Sequence, residues 1–139
     1  MKPVMQTKFT TEDMTVHGNC HAACIASILE LPLEDVPAFE DMGHEWSNAL
    51  SIFLVERGYC WHGTFWATDD PDWWQHLTER CKGVDGFYMV WGGSPRAHVK
   101  RGHSVVYQGG VMVHDPHPDG AGLRGVKSVL MIERAHPTP

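Results

Sequence analysis

No stretch of this chain approaches the roughly 20 consecutive apolar residues of a membrane span, and its start, Met1-Lys2-Pro3-Val4-Met5-Gln6, lacks the apolar run of a secretory signal. The expectation is a cytoplasmic protein with no membrane partner. Basic residues are few: 11 Lys and Arg stand against 17 Asp and Glu, for a formal net charge of −6, and only Arg96, Lys100 and Arg101 cluster. A general nucleic-acid surface needs a concentrated basic field, so nucleic acid is not an expected partner. Cysteine is scarce, and without a secretion signal the four thiols are read as free, catalytic or metal-bound rather than as two disulfides. Repeats, low-complexity runs and long linkers are missing. The 139 residues are therefore read as one domain, 1–139, with fraying expected at residues 1–3 and 135–139. At 42% hydrophobic and 10% aromatic residues, that domain can build a core without staples.

The apolar residues Ala22, Ala23, Ile25, Ala26, Ile28 and Leu29 recur with helical period, predicting a helix from Asn19, as N-cap, to about Glu30, stopped by Pro32. Leu33 to Phe39 reads as a short helical turn. A second helix is expected from about Glu45 to Arg57, closed by Gly58, and a third from Pro71 to Cys81. Strands are expected at Tyr59–His62, Gly86–Trp91, His103–Gln108, Val111–Asp115 and Ser128–Glu133, with Gly109-Gly110 turning the third into the fourth as a hairpin. Helices first and an antiparallel sheet after them make an α+β domain, with the first helix packed on the sheet.

Three segments carry chemistry. Gly18-Asn19-Cys20-His21-Ala22-Ala23-Cys24 opens the first helix on a cysteine, where unpaired backbone N–H groups and the helix dipole favour a thiolate. Gly102-His103-Ser104-Val105-Val106-Tyr107 begins a strand on a histidine, and Val113-His114-Asp115-Pro116 ends its hairpin partner on an aspartate. The hairpin brings Asp115 within reach of the His103 ring, with a register open by one residue. Nucleophile, base and orienting carboxylate are the parts of a thiol hydrolase. Cys24, one turn beyond Cys20, is read as core.

This pattern resembles the papain-like cysteine peptidase superfamily, and most closely the compact domains that process double-glycine leaders of bacteriocin precursors. The resemblance implies a papain-like α+β fold and an acyl-enzyme mechanism on peptide, isopeptide or related amide bonds of a peptide or protein substrate. By it Cys20 is the nucleophile, His103 the general base and Asp115 its orienter, with no cofactor. Those families place a glutamine shortly before the cysteine to complete the oxyanion hole, whereas the only upstream glutamine here, Gln6, is fourteen positions away. A loop could return it; otherwise the Asn19 side chain and the Cys20 backbone N–H are the next donors. His21 replaces the glycine that usually follows the cysteine. Gly18-Asn19-Cys20 is also similar to the cysteine loop of ovarian-tumour-type deubiquitinases, whose histidine-containing end is not matched.

Trp61, Trp91 and Arg96 are candidate substrate-binding residues, the tryptophans with Tyr107 as walls of an apolar groove and Arg96 as a carboxylate contact, with Gly92 to Gly102 as a flap. The alternatives are a papain-like module that binds without catalysis, and a zinc module built on His17, Cys20, His21 and Cys24. The ten histidines are otherwise dispersed and read as ordinary surface or core residues.

Overall fold

The structure, a computed structural model, describes residues 1–65 and 70–135, excepting the Phe65 side chain. In chain order it contains α1 (Cys20–Leu29), α2 (Trp46–Val55), β1 (Tyr59–Phe65), α3 (Trp73–Cys81), β2 (Tyr88–Gly93), β3 (Gly102–Gln108), β4 (Val111–His114) and β5 (Ser128–Arg134). Three short 3-10 turns, Leu33–Asp35, Phe39–Asp41 and Gly43–Glu45, join α1 to α2. The class is α+β, with one antiparallel sheet in the order β1-β5-β2-β3-β4. Among the described residues no helix is long and apolar enough to cross a membrane.

The sheet carries helices on both faces. Ile25 and Ala26 of α1 and Leu50 and Leu54 of α2 bury against Met89, Val106 and Leu130. On the opposite face Leu77 and Cys81 of α3 pack with Tyr88, Val90, Val105 and Tyr107. Successive residues of β2 and β3 thus alternate between the two clusters, as the strand period requires. Fully burying each such aliphatic side chain stabilises the fold by roughly 1.5–3 kcal/mol.

Gln108 pairs with Val111 across Gly109 and Gly110, whose φ values of 60° and 82° suit glycine and form the predicted two-residue turn. The Tyr88 hydroxyl accepts the Gly110 N–H at 2.9 Å and fixes that turn to β2. A bulge then shifts the register, for Tyr107 faces Met112 while Val106 faces His114. One extra residue on β4 re-aims the chain that leads into Asp115.

Two expectations change. Residues 1–3 do not fray: Lys2 N donates to Ser27 O at 3.0 Å, Val4 N donates to Ser27 Oγ at 2.9 Å, and Met1 packs on the α1 cluster. At the other end Ala135 N donates to Gly58 O at 2.9 Å, and 136–139 lie outside the described residues. The third helix begins at Trp73 rather than Pro71, which sits in the turn before it.

Candidate active site

The first residue of α1 and the second of β3 meet at one end of the sheet. His103 is 4% exposed, and its Nε2 lies 2.7 Å from Asp115 Oδ1. A carboxylate only accepts, so Nε2 carries the proton, and the ring lines the same cavity as Cys20. Asp115 is itself held on both oxygens: His117 N donates to Oδ1 at 2.9 Å and Gly122 N to Oδ2 at 2.8 Å. Burial pushes the Asp115 carboxyl up, but its hydrogen bonds from His103, His117 and Gly122 outweigh that and leave it below the usual range. Burial likewise pushes His103 down; the hydrogen bond to Asp115 and the negative charges of Asp115 and Cys20 reverse this and carry the ring to about 9. The arrangement therefore holds an imidazolium beside the Cys20 sulfur at neutral pH.

Gln6 does return to this site. Its backbone N donates to Pro116 O at 3.0 Å, beside Asp115, and its side chain is buried with Nε2 donating to Lys8 O at 2.9 Å. One amide hydrogen remains, and Oε1 has no partner. Gly18 leaves room for the amide, since a Cβ there would lie 3.3 Å from Nε2. Asn19 is the clamp that brings Gln6 in. Its Oδ1 accepts the N–H groups of Thr7 and Lys8, both at 2.9 Å, and its Nδ2 donates to Thr7 Oγ1 at 2.9 Å. Asn19 stands at the N-cap of α1 as expected, but its side chain makes no cap hydrogen bond, and it does not line the Cys20 cavity as an oxyanion donor would.

That cavity has a volume of about 330 Å³, and Gln6, Phe9, Cys20, Ser94, His103 and His117 line it. The loop expected as a flap supplies one wall, with Arg96 bound to Asp119 through Nε at 2.9 Å and Nη2 at 2.6 Å. Arg96 thus stands at the cavity as predicted, but its fork is occupied by a carboxylate of this chain. The His117 ring stands 6.3 Å from that of His103, and burial, with Arg96 nearby, pushes it below its ordinary value. Neither tryptophan lines the cavity, nor does Tyr107, which packs with Leu77 and Cys81 of α3. Trp61 lies on the edge strand β1, its Nε1 donating to Ser51 Oγ at 2.8 Å and its ring 5.7 Å from Trp46. Trp91 covers the Gly102 backbone, where a Cβ would fall 2.3 Å from its ring, and Lys127 Nζ stands 5.1 Å from the ring centre.

The four zinc candidates disperse. His17 Nδ1 lies 3.1 Å from Asp41 Oδ1, while His21 turns inward, edge-on to Trp46, where burial pushes it down to about 4. Cys24 is fully buried, which raises its thiol well above the ordinary value. Among the described residues no three metal-type side chains converge. All four cysteines are free thiols.

Comparisons of the chain with protein-family models, with curated proteins and with solved structures return no match. Sequence reasoning missed the backbone donors of His117 and Gly122 and the wall residues Phe9, Ser94 and Asp119. The run Asp115-Pro116-His117-Pro118-Asp119-Gly120 signalled a turn, and a carboxylate that accepts the N–H two residues on is how such turns form.

Proposed function

We propose that this protein is a cysteine hydrolase of papain-like arrangement that acts on an amide bond of a peptide or protein substrate in the cytoplasm. The observation that carries this reading is the His103 ring, which lines one cavity with Cys20 and is bonded to a fully held Asp115. Cys20 Sγ attacks the carbonyl carbon as a thiolate, and the C=O electron pair moves onto oxygen. The Cys20 backbone N–H and the remaining hydrogen of Gln6 Nε2 are the donors available to that oxyanion. When the tetrahedral species collapses, the carbon–nitrogen bond breaks and His103 gives its proton to the departing amine. His103 then takes a proton from water, which attacks the thioester, and Cys20 leaves as the thiolate.

The test is mass mapping after brief iodoacetamide treatment at pH 7. Cys20 should be labelled first, since Cys24 and Cys81 are buried and Cys60 sits half-buried on β1 with no imidazole hydrogen-bonded to it among the described residues. An activated thioester or anilide should then give a burst that prior labelling removes. Preferential modification of another cysteine, or a burst unaffected by labelling, overturns the reading.

A further inference from the structure

A second cavity, of about 350 Å³, lies across the chain segment that walls the first. Gly18 and Cys20 line one cavity while Asn19 and Ala22 line the other, and Gln6 and Phe9 face the first while Thr7 and Lys8 face the second. The partition is therefore one chain thick. The second cavity has aliphatic walls from Ala22, Leu33, Val36 and Ala38, and carboxylates from Glu34, Glu40 and Asp41.

Glu40 is the unusual member. Both carboxyl oxygens are shut off from solvent, and neither makes a hydrogen bond to another residue. Leaving such a group buried and unpaired is costly. Asp41 already holds His17, and Lys8 lies in the cavity wall without an ion pair to Glu40 among the described residues. Burial pushes the Glu40 carboxyl up to about 7, against its own backbone N–H, while Asp41 raises it further and Arg101 and Lys8 draw it down.

We propose that this cavity is a specificity pocket for a cationic side chain, lysine or arginine, beside the scissile bond. The proposal rests on the hydrolase reading for its placement. The aliphatic walls fit the methylene stem, and the Glu40 carboxylate, buried in the free protein, rotates toward the cavity to take the ammonium or guanidinium. Glutamate or aspartate at the same substrate position is repelled by the three carboxylates.

The probes are acetyl-lysine amide, acetyl-norleucine amide and acetyl-glutamate amide, titrated against the full chain by NMR with the backbone amides of Thr7, Lys8 and Ala38 as reporters. Norleucine keeps the stem and removes the charge. Lysine should bind roughly tenfold or more tightly than norleucine, the ratio expected of a charged hydrogen bond, with glutamate weakest. Glu40→Gln, which keeps shape, should bring lysine to within about twofold of norleucine. Ala38→Trp fills the cavity from an exposed wall position and should remove binding of every probe even if Glu40→Gln proves unstable. Equal binding of lysine and norleucine, a lysine preference that survives Glu40→Gln, or binding that survives Ala38→Trp overturns the pocket. Iodoacetamide labelling of Cys20 in the same samples reads the hydrolase assignment separately, because it needs no occupied pocket.

Discussion

Replacing Asp115 by asparagine separates an orienting carboxylate from a turn former, and the structure sets the size of both effects. Oδ1 accepts from His103 Nε2 and His117 N, and Oδ2 from Gly122 N. An amide oriented to keep the first two must turn its NH2 toward the Gly122 N–H, leaving two donors face to face. One buried hydrogen bond lost in this way costs about 1–3 kcal/mol, or a melting temperature lower by roughly 4–10 °C for a domain of this size. The electrostatic effect is separate. His103 stands at about 9 partly because a negative charge lies 2.7 Å from Nε2. Removing that charge should lower the ring by about 1–3 units. The wild-type ring keeps its proton at pH 7.5; in Asp115→Asn, with the ring at about 6–8, from about a quarter to nearly all of it would be lost. The assay is the rate of Cys20 alkylation by iodoacetamide from pH 5 to 10, beside thermal melts. Wild type should show a break near 9, where the imidazolium beside the sulfur disappears. Asp115→Asn should move the break toward neutrality, and His103→Ala should abolish it. A lower melting temperature with an unmoved break would leave Asp115 a purely structural residue and refute the orienting role.

Two buried groups oppose each other in their pH dependence. His21, pushed down to about 4 by burial, withholds stability as pH falls from about 6.5 toward 4, because the unfolded ring binds the proton first. Glu40, pushed up to about 7 by burial, contributes stability that is present below about 4.5 and lost as pH rises to 7. Glu40→Gln should therefore stabilise the protein by at most about 2–3 kcal/mol at pH 7.5, with a gain that shrinks toward pH 5, as read by urea melts at each pH. A gain independent of pH would show that the carboxyl is not the cause. Gly92→Ala tests packing: its Cβ would fall 1.7 Å from Gly125 O, in a connection held to β2 by Arg124 N to Gly93 O and Lys127 N to Trp91 O, both 2.8 Å. With backbone on both sides, the loss should reach about 3 kcal/mol in chemical denaturation, and a loss below about 1 kcal/mol would mean that the connection moves freely.

The features legible in the sequence were those that short-range chemistry dictates. The Ala and Ile period with Pro32 gave α1 nearly residue for residue, and Gly109-Gly110 gave the hairpin. Cys20, His103 and Asp115 were readable for the same reason, because a helix start, a strand start and a strand end need only local signals. What failed depended on distant partners. Asn19 is the N-cap residue, yet its side chain leaves the helix for two N–H groups, of Thr7 and Lys8, that local sequence does not place nearby. Trp61 reads as a groove wall until β5 is seen to pair with β1 and set it at the far edge from β3. The bulge opposite Val106 and Tyr107 leaves no mark in composition, and it decides the register on which Asp115 depends.

The place of β5 also bears on how the molecule is made. β1 pairs only with β5, and β2 meets β1 only through it, although Ser128–Arg134 follows every other strand in the chain. During synthesis, therefore, the thiol-bearing helix and four strands leave the ribosome before the strand that joins the two parts of the sheet. Until then Met89 and Trp61 have no shared neighbour in the sheet, and the apolar face against which α1 packs lacks Leu130. Pairing across such sequence separations is slow to form. The Cys20 thiol is thus made early, but its supporting sheet closes late, which separates the birth of that thiol from the completion of the cavity around it.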